Sequence, residues 1–349
     1  MQFDPKKILI ILHGSIGDVT RALPLAGIIR SGFPQAHLVW AVEPPSLLLV
    51  ARFPAVQEVM LFDRRRWWRE WLPFLRRVRA ARFDLVLDLQ RHFKSGVISR
   101  WSGAPIRLGF HRRDCKELNW LFNNHFIPAA GDGISKLSHY LKFAEYLGLD
   151  PSPVAWNFRL TGEEKQHVDK FLAAIQDGFA ALFVSSRWES KRWFPAQAAE
   201  CARTIKERHC CDVVLLGGKE DRSTAAEILG IAGVPITNLV GQTTLAEALG
   251  VIARAMFAIG PDTGLMHVAA AVGTPVISLW GATNPIRTGP YNFEDLVIQG
   301  KAPCVPCYRR QCPIGRVCMH SIGIEEIGEK IALALSHSRK RDVCHVSDG

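Results

Sequence analysis

The chain has 349 residues, 48% of them apolar and 22% charged. That length suits two domains of roughly 150–180 residues, the composition excludes a disordered chain, and no apolar run reaches the ~18–20 residues that span a bilayer. The net charge of +10 is uneven: residues 1–150 hold 22 Lys and Arg against 13 Asp and Glu, residues 151–349 hold 21 against 20, so the first half is the one suited to a negative partner.

In chain order, Met1–Leu12 has charges at Lys6 and Lys7, then a short apolar run into Gly14, with no small-residue cleavage site. It reads as a first strand rather than a secretion signal, and the expected location is the cytoplasm. Ile8–Leu12 is a buried strand, Ile16–Ser31 a helix with apolar residues at helical spacing, and His37–Val42 a second strand. Val56–Phe62 is a third strand, Trp67–Ala81 a helix and Leu85–Leu89 a fourth strand. Asp150-Pro151-Ser152-Pro153 is the best linker and divides domains 1–152 and 153–349. A second series follows. Strands at Ala180–Val184, Asp212–Leu216, Ile236–Val240, Phe257–Ile259 and Pro275–Leu279 alternate with helices at Pro195–Glu207, Ser223–Leu229, Thr244–Ala253 and Gly264–Val272. The closing helix, Glu325–Ser336, is a candidate to pack back on the first half. Short buried strands between helices give an α/β fold of two Rossmann-like domains, each a parallel sheet with helices on both faces. Ligands of such sheets bind at the carboxyl ends of the strands, here facing an interdomain cleft.

Two turns carry the chemistry. Gly260-Pro261-Asp262-Thr263-Gly264-Leu265-Met266-His267 runs from a strand into a helix starting near Gly264. The free N–H groups and dipole of such a helix tip suit a pyrophosphate. Thr263 adds a hydroxyl, Gly264 permits close approach, and His267 lies in the first turn. The plain alternative is Asp262 as a helix cap. The other turn, Gly14-Ser15-Ile16-Gly17-Asp18, offers a loop open to a ligand and a carboxylate at the helix start. Asp18 is either a helix N-cap or a general base for an acceptor hydroxyl. With Glu43 after the second strand, the turn also hints at an NAD-dependent oxidoreductase, but the third glycine of G-x-G-x-x-G is absent.

These turns, with Lys191-Arg192-Trp193-Phe194-Pro195, Gly217-Gly218-Lys219-Glu220-Asp221, Asp88-Leu89-Gln90 and Gly281-Ala282-Thr283-Asn284-Pro285, resemble in order the ADP-heptose:lipopolysaccharide heptosyltransferases, glycosyltransferase family 9. The resemblance runs from about Lys7 to Ile331. It implies a GT-B fold, with acceptor on the N-terminal domain, donor on the C-terminal one, and an inverting displacement that requires no cofactor. It implies Asp18 as catalytic base and Lys191 as the cation beside the departing diphosphate. Asp262, Thr263, Gly264, Leu265 and His267 would hold the ADP portion, with Ser186 near the donor phosphates. Glu220, or Asp221 beside it, would lie near the nucleoside. Gly14, Ser15 and Gly17 would line the acceptor side. A related transferase using another nucleotide-sugar is the nearest alternative.

The stretch Arg64-Arg65-Arg66-Trp67-Trp68-Arg69-Glu70-Trp71-Leu72 mixes cations with aromatic residues. Arginine forks suit phosphates and carboxylates, and Trp with Leu suits a membrane interface. With Arg107, Arg112 and Arg113 it is expected to contact an anionic lipopolysaccharide precursor at the inner face of the cytoplasmic membrane. No nucleic-acid module is recognisable, and no nucleic-acid partner is expected. Finally, Cys304, Cys307, Cys312 and Cys318 are spaced for a structural zinc or an iron–sulfur cluster, for reduced thiols, or for disulfides; the odd total of nine argues against a disulfide framework.

Overall fold

The structure is a computed structural model that describes residues 4–131, 133–175, 178–184 and 186–344, with side chains described as far as Arg339. The chain divides into two compact units, Met1–Arg159 and Leu160–Gly349.

In unit 1, β1 (Lys7–Ile11), β2 (His37–Val42), β3 (Glu58–Leu61), β4 (Leu85–Asp88), β5 (Ile106–Gly109) and β6 (His125–Phe126) form one parallel sheet in the order β3-β2-β1-β4-β5-β6. Its helices are α1 (Ile16–Gly32), α2 (Leu47–Ala51), α3 (Trp67–Ala80), α4 (Phe93–Ser102) and α5 (Lys136–Tyr146). Residues Ile8–Ile11 and Leu85–Leu87 have no exposed surface, as expected of strands covered on both faces.

Unit 2 repeats the plan with β7 (Phe179–Phe183), β8 (Asp212–Leu216), β9 (Thr237–Asn238), β10 (Phe257–Pro261), β11 (Val276–Trp280) and β12 (Val297–Gln299), in the order β12-β11-β10-β7-β8-β9. Its helices are α6 (Gly162–Leu172), α7 (Pro195–His209), α8 (Arg222–Ala232), α9 (Leu245–Arg254), α10 (Gly264–Ala271), α11 (Pro285–Thr288), α12 (Val317–His320) and α13 (Ile324–Cys344). The last of these packs on α7, β10 and β11 of its own unit. Counted from each unit's first strand, both orders read 3-2-1-4-5-6. The winding reverses between β1 and β4 in unit 1, and between β7 and β10 in unit 2; such switch points are where doubly wound sheets bind ligands.

The division falls at Arg159/Leu160, seven residues beyond the boundary expected at Ser152. A proline explains why. Pro24, inside α1, has no N–H to give the carbonyl of Thr20, four residues back. Trp156 Nε1 donates to that carbonyl instead, at 2.7 Å. Phe158 packs edge-on to Phe53, and Arg159 N donates to the Arg52 carbonyl at 2.9 Å. The segment after the prolines therefore belongs to unit 1.

Candidate active site

In unit 1 the loops that leave the carboxyl ends of β1 to β5 carry most of the expected acceptor-side residues. The first loop is tied down from β4. Gln90 Oε1 accepts from His13 N at 2.6 Å, and Asp88 Oδ1 accepts from Gln90 N at 3.2 Å. Asp88 is fully buried, and its other oxygen accepts from Asn119 Nδ2 at 2.6 Å and Asn123 Nδ2 at 3.4 Å. Gly14 is required for contact: a Cβ there would lie 2.8 Å from Asp18 Cβ.

Asp18 sits in the first turn of α1, with Ser15 as N-cap. Ser15 Oγ donates to Asp18 Oδ2 at 3.0 Å; Asp18 Oδ1 accepts from Arg21 Nη2 at 2.9 Å and from Lys136 Nζ at 2.6 Å. Burial alone would raise the carboxyl pKa, but the charges of Lys136 and Arg21, with the Ser15 hydroxyl, hold it well below the usual carboxylate range. Asp18 is therefore a carboxylate at any physiological pH, part-exposed, with cations on one side. Ser15, and not Asp18, caps the helix. A dinucleotide pyrophosphate would meet that carboxylate at the helix tip, which disfavours the oxidoreductase alternative.

His13 was not singled out from the sequence. It is 8% exposed between Phe62 and Phe74, and burial, then the nearby Arg64, lowers its pKa to about 4. It is a neutral imidazole under ordinary conditions.

Arg64 Nε lies 3.6 Å from Glu43 Oε1, the carboxylate after β2, so the arginine run begins at the carboxyl edge of the sheet. Arg64, Arg65 and Arg66 form a short 3-10 turn whose start is capped by Asp63, and all three are exposed. Trp67, Trp68 and Leu72 follow on α3 at 55%, 65% and 61% exposure. Arg112 and Arg113 are exposed on the loop after β5. Arg107, expected alongside them, donates its guanidinium to the carbonyls of Phe122 (3.1 Å) and Ala104 (2.6 Å) and so staples backbone at this edge.

In unit 2 the candidates gather at the β7/β10 switch point. Ser186 Oγ donates to the Asp262 carbonyl at 2.8 Å, strapping the loop after β7 to the end of β10. That bond makes the Ser186 hydroxyl a support of the loop at the switch point. Asp262 is not the cap of α10. Its Oδ2 accepts from Lys191 Nζ at 2.5 Å and Thr283 Oγ1 at 2.7 Å. The N-cap is Thr263, with no side-chain cap bond. Thr263, Gly264 and Leu265 are part-exposed, leaving a helix tip suited to an anion. His267, expected on that surface, is 5% exposed and lies beneath it.

The Lys191 ammonium lies 4.4 Å from the centre of the Trp188 ring, and the Arg310 guanidinium 5.7 Å from the same ring. Arg310 comes from the cysteine loop. That loop is pinned to the Lys191 turn: Ser190 Oγ donates to the Arg309 carbonyl, and Cys312 N donates to Glu189 Oε2 at 2.9 Å. After β8, Asp221 Oδ2 accepts from Gly218 N at 2.9 Å and so shapes the turn, whereas Glu220 is exposed. That favours Glu220 over its neighbour as a ligand contact.

Among the described residues no group of three or more Cys, His, Asp or Glu is placed to hold a metal. Cys304, Cys307, Cys312 and Cys318 are free thiols, with Cys318 buried and its pKa raised by that burial. The structural-zinc and disulfide readings of the loop find no support in this arrangement.

The sequence profile of glycosyltransferase family 9 (heptosyltransferase) matches residues 71–318. The chain is 28% identical to the lipopolysaccharide core heptosyltransferase OpsX of Haemophilus influenzae over 301 residues, covering 84% of each chain. Among solved structures it resembles a family 9 glycosyl transferase of Veillonella parvula (TM-score 0.83, 19% identity, covering 96% of this chain and 99% of that one). It also resembles the E. coli heptosyltransferase WaaC with ADP (TM-score 0.72, 21% identity, covering 95% and 99%). The two structural likenesses identify the architecture as GT-B.

Proposed function

Since the chain belongs to glycosyltransferase family 9, the heptosyltransferases, we propose that it moves a heptose from ADP-heptose to the inner core of lipopolysaccharide, onto a lipid A precursor bearing Kdo or an existing heptose. The observation that carries this reading is the equipment of the two switch points: a carboxylate, Asp18, in unit 1, and a helix tip without a side-chain cap, flanked by Lys191, in unit 2.

In the reaction, Asp18 takes the proton of the acceptor hydroxyl as the oxygen attacks the anomeric carbon. The bond from that carbon to the diphosphate breaks, and its electron pair leaves with ADP. The tip at Thr263–Leu265 and the Lys191 ammonium meet the charge that develops on the diphosphate, while Glu220 faces the nucleoside. Attack from the side opposite the leaving group inverts the anomeric centre. The acceptor's acidic groups are met by Arg64, Arg65, Arg66, Arg112 and Arg113.

The same face suits the inner surface of the cytoplasmic membrane. Exposed Trp67, Trp68 and Leu72 lie beside Arg64–Arg66 and Arg69, a mixture that enters the headgroup layer without crossing it. No helix among the described residues is long and apolar enough to cross a membrane.

Incubation with ADP-heptose and acceptor lipids should release ADP and add the mass of one heptose to the acceptor. Release of nucleotide with another sugar in place of heptose would replace the donor; no transfer with any acceptor would sink the reading.

A further inference from the structure

Two cations share one oxygen of Asp18, and they are not equivalent. Arg21 is on the same helix, one turn on, and its side chain is 9% exposed. Lys136 reaches in from the first position of α5, and its side chain is 25% exposed. The start of α5 does not depend on it, because Ser135 is the N-cap and its Oγ accepts from Ser138 N at 3.0 Å. An arginine fork in a buried position is a fixed countercharge, whereas a lysine is a point charge on a flexible stem that can change partners. Two nearby carboxylates are engaged elsewhere. Glu43 pairs with Arg64, and Asp88 is held by Asn119 and Asn123.

We propose that Lys136 binds an acidic oxyanion of the acceptor, a carboxylate or a phosphate, and in turning to it withdraws from Asp18, so that the base gains strength only when acceptor is in place. The proposal rests on Asp18 as the base. With Lys136 at 2.6 Å the carboxylate is a poor proton acceptor. Moving one positive charge from Asp18 to the acceptor anion removes the largest attraction lowering its pKa and leaves Arg21 as the countercharge. The acceptor proton then passes to Asp18 as the new glycosidic bond forms and the diphosphate leaves with its electron pair. Without acceptor, Lys136 keeps Asp18 from activating water, which protects the donor from hydrolysis.

The test uses the full-length protein and three variants, Lys136→Met, Lys136→Arg and Asp18→Asn, with thermal unfolding recorded for each. Lys136→Met should raise the acceptor KM roughly 10–100-fold, the loss of one charge-assisted hydrogen bond. It should also move the acid limb of the kcat/KM pH profile upward and speed donor hydrolysis in the absence of acceptor. Its ADP affinity should match wild type. Lys136→Arg should restore most of the acceptor affinity. Acceptors lacking the phosphate, or with the sugar carboxylate reduced, identify the group: on the acceptor without it, wild type and Lys136→Met converge. Wild-type acceptor KM and pH profile in Lys136→Met, or a penalty that persists on acceptors stripped of both groups, would overturn the proposal. If Asp18→Asn instead transfers sugar at a near-normal rate, the base assignment fails first.

Discussion

The two switch points share a strand order and differ in what occupies their helix tips. In unit 1 both tips carry carboxylates: Asp18 lies in the first turn of α1, and Glu117 Oε2 accepts from Phe93 N at the start of α4, at 3.2 Å. In unit 2 the carboxylate next to α10 is drawn aside by Lys191 and Thr283, and α7 begins with Pro195 and no side-chain cap. At α4 the Glu117 carboxylate takes up a free N–H, and at α1 the Ser15 hydroxyl caps the helix while the charge of Asp18 opposes the dipole that would otherwise attract an anion. In the proposed reading, the same scaffold thus supplies a base in one unit and an anion site in the other. The choice rests on where one acidic side chain is directed.

The sharpest way to break this contrast is Asp18→Asn, which keeps the shape and removes the base. Turnover should fall about 10²–10⁴-fold in a heptosyl-transfer assay; near-normal turnover would leave unit 1 without its assigned chemistry. Next, Lys191→Met should lower kcat by about 10²–10³-fold. It also strands the Asp262 carboxylate, and breaking a buried pair costs about 3–5 kcal/mol, so the unfolding midpoint should drop as well. A kcat loss without any drop in midpoint would mean the Lys191–Asp262 pair does not hold the turn. Replacing Arg64, Arg65 and Arg66 together by Ala should weaken binding to anionic vesicles by about 1 kcal/mol per charge and flatten its salt dependence. Sedimentation with vesicles measures both, and unchanged binding would confine these arginines to a solvated face. The smallest effect is Trp188→Leu. Loss of the ring beneath Lys191 and Arg310 should cost about 0.5–2 kcal/mol of ADP affinity, and calorimetry would detect it.

What could be read in advance was local. Asp18, the helix starting at Gly264 and the alternation of strands and helices each lie in a few consecutive residues, where turn chemistry and periodicity speak directly. Some shorter or more polar elements were missed. β5 has Arg107 among its four residues and β6 has only two residues, whereas α5 was passed over although Leu137, Tyr140, Leu141 and Ala144 lie at helical spacing. With α5 unseen, Lys136 could not be linked to Asp18, 118 residues earlier. Residue type alone does not reveal what a side chain is bonded to. Arg107 and Ser186 carry groups suited to phosphates, and in the structure both donate to backbone carbonyls. The plain alternative for Asp262, a helix cap, fails because its side chain is diverted to Lys191 by a loop 71 residues away. Arg21, by contrast, is one turn from Asp18, a pairing that spacing alone could have suggested.

The division of labour between the units is tested most directly by titrating ADP into wild type, Asp18→Asn and Lys191→Met under one buffer and salt. The account expects Asp18→Asn to bind ADP as wild type does and Lys191→Met to bind it at least about tenfold more weakly, the scale of a charge-assisted contact. Equal weakening in both variants would contradict it, because the carboxylate of unit 1 would then belong to the nucleotide site.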